Sequence, residues 1–122
     1  TGDMFILGGT TDHITPWRAC YRSTQLFGAK NVEFILSQAG HMQAILNPPG
    51  NPKAKYWKHS KAKTPADVGE WMKGTEEVAG SWWPYWMEWL HARSGKEVSA
   101  PAAVGSKAYP AMEAAPGLYV LE

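Results

Sequence analysis

Two short apolar runs, Met4-Phe5-Ile6-Leu7 and Val32-Glu33-Phe34-Ile35-Leu36, bracket a segment with helical spacing, and this alternation constrains the fold more than any other feature. Each run is apolar almost throughout and is followed by glycine, the pattern of a short strand buried on both faces. Residues 4–8 and 32–37 are therefore expected strands. Between them Thr15-Pro16 opens a helix, Thr15 as N-cap and Pro16 at the first helical position, where a missing N–H does no harm. Trp17, Cys20, Tyr21, Thr24 and Phe27 follow at helical spacing, and Gly28 supplies the stop. Two buried strands joined by a crossover helix form a parallel βαβ unit, which places the chain in the α/β class.

The chemistry lies just past each strand, in Gly-Gly-Thr-Thr-Asp-His ending at Asp12-His13 and in Ser-Gln-Ala-Gly-His ending at His41. A loop carboxylate at the carboxyl end of a strand can accept a hydrogen bond from an imidazole, fix its tautomer and stabilise the imidazolium. Asp12 also suits a cap on the helix that opens near Pro16, and His41 alone suits a hydrogen-bonded structural role. Taken together, in this order and on adjacent strands, the two favour catalysis, with an approach of about 2.6–3.2 Å between heavy atoms. Strand, acid, helix, strand, histidine is the order in which an α/β-hydrolase places the last two members of its triad. The nucleophile comes earlier in that order and is expected in polypeptide upstream of Thr1.

Other chemistry-bearing residues are weaker candidates. His13 reads as structural, since neighbours in a loop usually point apart. A metal site from Asp12, His13, His41 and His59 has no HExxH or paired-cysteine spacing behind it. Cys20 sits one helical turn after Trp17 on the packing stripe, without the small neighbours of a nucleophile elbow, and is expected in the core.

Beyond His41, Met42 to Leu46 reads as a helical turn or two, and the prolines at 48, 49 and 52 make the next stretch a loop. Lys53 to Lys63, five lysines interleaved with Tyr56, Trp57 and His59, reads as a solvated loop. Thr64-Pro65-Ala66-Asp67 opens a helix over 65–73, and Ser81 caps a helix over 82–93 closed by Gly95. Trp82, Trp83, Trp86, Met87, Trp89 and Leu90 cover about two thirds of that helix, leaving Pro84, Glu88 and His91 as a narrow polar side; it is expected to be buried on several sides or pressed on something apolar. From Val98 onward the composition predicts an extended surface tail. A net charge of +1 gives no electrostatic reason to expect nucleic acid, one cysteine excludes an internal disulfide, and no apolar run approaches the roughly 20 residues of a membrane span.

Gly-Thr-Thr-Asp-His-Ile-Thr-Pro-Trp (9–17), Ser-Gln-Ala-Gly-His-Met (37–42) and Asn-Pro-Pro-Gly-Asn-Pro-Lys (47–53) resemble the C-terminal part of a poly(3-hydroxyalkanoate) synthase. Gly-Ser-Trp-Trp-Pro-Tyr-Trp-Met-Glu-Trp-Leu (80–90) and the segment 109–120 extend the likeness almost to the end, and to the single-subunit type. The resemblance implies that residues 1–120 are the C-terminal part of an α/β-hydrolase-like catalytic domain; Leu121-Glu122 reads as a cloning remnant. It implies an acyltransferase that polymerises 3-hydroxyacyl-CoA with release of CoA, with Asp12 as triad acid, His41 as triad base and an upstream cysteine as nucleophile. No cofactor or metal is implied, the CoA thioester being substrate. The implied partners are 3-hydroxyacyl-CoA, the growing polyester chain and the granule surface in the bacterial cytoplasm, and the chain alone is expected to be inactive. A sheet cut from a larger one also predicts homo-oligomerisation or a companion segment. An esterase, lipase or polyester depolymerase with an upstream serine, and a non-enzymatic granule- or protein-binding module, are the competing readings.

Overall fold

The computed structural model describes residues 2–59 and 64–121. The first strand, β1, spans Met4–Gly9, helix α1 spans Trp17–Leu26 and strand β2 spans Val32–Ser37. β1 and β2 are parallel and in register from Met4↔Val32 to Gly9↔Ser37, so the expected βαβ unit is present. The α1 cap differs from expectation. Pro16 occupies the cap position without a side-chain bond, because the Thr15 hydroxyl is taken by Asp12.

Two further strands widen this unit into a mixed sheet of order β1-β2-β3-β4. Strand β3, Lys55–His59, corrects the reading of the lysine cluster as a solvated loop; Lys61 and Lys63 lie outside the described residues. Alternation explains the strand. Tyr56 faces one layer and Trp57 the other, while Lys55 and Lys58 reach past the apolar surface to Glu77 and Glu76 of β4 at 3.0 and 3.1 Å. Strand β4, Thr75–Ala79, pairs antiparallel with β3 through Tyr56↔Val78 and Lys58↔Glu76. The sheet is thus four-stranded and mixed rather than a parallel pair alone.

Helices cover both faces. On one, Tyr21 of α1 and Trp71 of α3 (Val68–Lys73) pack with Phe34 and Leu36 around a core of edge-to-face rings, Phe34–Trp71 and Tyr21–Phe34 each at 5.1 Å. α3 is shorter than the expected 65–73, because Asp67 supplies the cap by accepting the Glu70 N–H at 2.9 Å, while the Thr64 hydroxyl donates to the Val32 carbonyl. On the other face lie Ile35, Tyr56 and Trp82, with Phe5, Leu7 and the first turns of α4 (Trp83–His91). α4 is shorter than 82–93 and has no fully buried residue. One side lies on the sheet and Met87 is exposed, so its wide apolar surface is only partly covered. Tyr85 anchors it by donating to Glu33 of β2 at 3.0 Å, and Arg93, just beyond it, binds Asp3 at 2.8 Å. Past Ala92 the chain is exposed almost throughout, as its composition predicts, and ends in a 3-10 turn, Tyr119–Leu121. No helix among the described residues is long and apolar enough to cross a membrane.

Candidate active site

Parallel register brings the carboxyl ends of β1 and β2 side by side, and the loops leaving them are stitched together. Thr10 N–H donates to the Ser37 carbonyl at 2.9 Å, Thr11 N–H to Ala39 at 3.2 Å, and Ala39 N–H to the Thr10 hydroxyl at 3.1 Å. The fit is tight at Gly9, where a Cβ would stand 2.8 Å from the Ala39 carbonyl and 2.9 Å from the Ala44 Cβ. Ala39 is held at φ 125°, a conformation that L residues seldom adopt, and the next turn sets down His41 as the first residue of a short helix, α2 (His41–Ile45).

Within this frame His41 Nδ1 lies 2.8 Å from Asp12 Oδ2, inside the expected range. The remaining valences of the carboxylate are filled locally. Oδ1 accepts the N–H groups of Ile14 and Thr15, both at 2.9 Å, and Oδ2 accepts the Thr15 hydroxyl at 2.7 Å. Asp12 is thus a partner of His41 and a staple of its own loop, but it does not cap α1, whose first turn receives no side-chain bond. Burial alone would raise the Asp12 carboxyl, but the bonds from Thr15, His41 and Ile14 outweigh it and hold the group well below the usual carboxylate range. An ionised carboxylate can only accept, so His41 must donate through Nδ1–H; in the neutral ring the lone pair then sits on Nε2, on a side chain 36% exposed. Asp12, at 6%, is shielded behind it. A cleft of about 50 Å³ lined by Leu7, Gly9, Asp12, Thr15, His41 and Ala44 opens at the pair. Ile14, Met42, Ile45 and Leu46, in the loop after β1 and in and just after α2, are exposed apolar side chains.

His13 is exposed beside Asp12. Cys20 packs against the Tyr21–Phe34–Trp71 cluster with its Sγ 3.5 Å from the Thr15 carbonyl, but it is half-buried at the margin of the core rather than inside it as expected. Among the described residues no three His, Cys, Asp or Glu side chains are grouped to hold a metal ion. Sequence reasoning missed the Thr15 hydroxyl, although Asp followed at two and three positions by free amides is the signature of an Asx-type turn.

A shielded carboxylate accepting a hydrogen bond from an imidazole stands at the carboxyl ends of adjacent parallel strands in a layered α/β sheet, an arrangement that acid–base chemistry can use. No protein-family model matches the chain. The chain is 51% identical over 120 residues to poly(3-hydroxyalkanoate) polymerase 1 of Ectopseudomonas oleovorans and 45% identical over 119 residues to polymerase 2 of the same organism. It is 40% identical over 116 residues to the poly(3-hydroxyalkanoate) polymerase subunit PhaC of Cupriavidus necator. These matches take in 98%, 98% and 95% of this chain but only 21%, 21% and 19% of the relatives. The chain is homologous to the poly(3-hydroxyalkanoate) polymerases, as its motifs suggest, and spans about a fifth of their length.

Proposed function

We propose that this chain is the part of a poly(3-hydroxyalkanoate) polymerase of α/β-hydrolase fold that supplies the acid and base of its catalytic triad. The observation that carries the reading is the 2.8 Å contact between His41 Nδ1 and an Asp12 carboxylate whose other acceptor sites are already occupied. Such a carboxylate is fixed in place, and it sets the neutral ring as the Nδ1–H tautomer, so that the lone pair a general base needs falls on Nε2. Homology over nearly the whole chain supports the same assignment.

In this reading Nε2 of His41 takes the proton of a cysteine thiol belonging to the remainder of the polymerase. The thiolate adds to the thioester carbonyl of a 3-hydroxyacyl-CoA. The adduct then collapses, breaking the bond to the CoA sulfur, and the imidazolium returns the proton to that leaving group. The acyl group is left on the cysteine. The 3-hydroxyl of another acyl unit next attacks this thioester, giving up its proton to His41, and the new ester lengthens the polymer as the cysteine is released. Asp12 stabilises each imidazolium. Cys20, half-buried on helix α1 with its Sγ against the Thr15 carbonyl rather than on a strand-to-helix elbow, is not that nucleophile in this reading, and the isolated chain is expected to be inactive. The exposed side chains of Ile14, Met42, Ile45 and Leu46 suit an aliphatic substrate and polyester, in keeping with a granule-associated cytoplasmic enzyme. The test is CoA release from a 3-hydroxyacyl-CoA by the full-length polymerase. His41→Ala should lower kcat by about 10³-fold or more, whereas near wild-type release would refute the assignment.

A further inference from the structure

The helix that carries His41 is only five residues long, and its C-terminal end is held locally by two bonds alone, Leu46 N–H to the Met42 carbonyl at 2.9 Å and Asn47 N–H to the Ile45 carbonyl at 3.1 Å. A helix end leaves carbonyls without intrahelical partners, and in so short a helix they are a large share of all its bonding groups. Here further donors come from 38 positions downstream. The Trp82 indole N–H donates to the Ala44 carbonyl at 2.8 Å, in a buried setting, and the Trp83 indole N–H donates to the Ile45 carbonyl at 3.0 Å. Ser81 completes the set: its hydroxyl donates to the carbonyl of buried Asn47 and accepts the Trp83 N–H at 3.0 Å. Trp82 is itself fixed in the core against Ile35, Tyr56 and Phe5. From that anchor a line of contacts runs through α2, whose inner residue Ala44 is 2% exposed and donates its N–H to Gly40 just before His41.

We propose that Trp82 and Trp83 are positioning residues for His41, their indole N–H groups clamping α2 so that the imidazole meets Asp12. The paired tryptophans do more than fill the core. Packing needs their ring area, but only the N–H groups reach the α2 carbonyls. The inference rests on the Asp12–His41 pairing, and its readout needs no turnover.

Nitrogen-15 NMR of the imidazole, at about pH 9 where histidine is neutral, reports whether Nδ1 or Nε2 bears the proton. The wild-type chain should hold His41 in the Nδ1–H form. Trp83→Phe and Trp82→Phe each keep an aromatic ring and delete one N–H, and each should lower the ratio of Nδ1–H to Nε2–H about fivefold, the effect of losing one hydrogen bond. Trp71→Phe, in the opposite layer, should leave that ratio unchanged while lowering stability. An unchanged ratio in the two indole variants, or an equal shift in all three, overturns the clamp. Should Trp82→Phe not fold, half-buried Trp83 decides alone. A wild-type ring protonated at Nε2 would instead remove the Asp12–His41 pairing, and the clamp with it.

Discussion

Asp12 receives four hydrogen bonds, from Ile14, twice from Thr15 and from His41, and this saturation makes one carboxylate both a loop staple and the partner of His41. Its folded-state carboxyl lies below the unfolded value, so the stability it contributes is present above about pH 4 and is lost as pH falls through the folded value. Asp12→Asn should flatten that part of the stability–pH curve, measured by urea unfolding between about pH 5 and pH 2. In the full-length polymerase the same substitution should cost about 10³–10⁴ in kcat, because an amide can present its N–H to Nδ1 and select the wrong tautomer. Gly9→Ala tests the packing between the loops. With carbonyl and Cβ neighbours below 3 Å it should destabilise the chain by about 1–3 kcal/mol and shift the His41 ring resonances. Both Asp12 and His41 were legible because apolar runs fix where strands end. The Thr15 and indole contributions were not, since hydrogen bonds from side chains that also cap or pack leave no separate mark on sequence.

At the level of elements, the parallel pair and α1 could be read directly, whereas β3 and β4 could not. Lys55, Lys58, Glu76 and Glu77 disguise the two outer strands as solvated sequence, although each lysine spans apolar surface to meet a β4 carboxylate. Exposed pairs of this kind contribute little, on the order of 0–1 kcal/mol each. What holds β3 in place is Tyr56 in one layer and Trp57 in the other. Trp71→Ala should therefore cost far more than Glu76→Gln. A loss of about 3–5 kcal/mol is expected for the first and less than about 1 kcal/mol for the second, by chemical denaturation. The α3 boundary was misplaced for a similar reason: Thr64 and Asp67 are both good caps, and only the tertiary bond from Thr64 to Val32 decides between them.

At the scale of the whole molecule, the sheet has β1 at one edge and β4 at the other, so the strand that leads to Asp12 has no outer neighbour among the described residues. An apolar parallel strand with an open edge is a template for further pairing. The isolated chain should consequently self-associate as its concentration rises, and sedimentation showing a well-ordered monomer throughout would count against this. The layered α/β architecture was visible in the sequence; its mixed outer half and the partial exposure of α4 were not, because apolar residues around a helix do not say how much of it a small sheet can cover. The central claim is that the Asp12–His41 pair activates a thiol, and the most direct measurement is the pH dependence of alkylation of the nucleophilic cysteine in the full-length polymerase. Wild-type enzyme should react as a thiolate well below the ordinary thiol range near about pH 8.5, and His41→Ala should move the profile up into that range. A profile that His41→Ala leaves where it was would contradict the account.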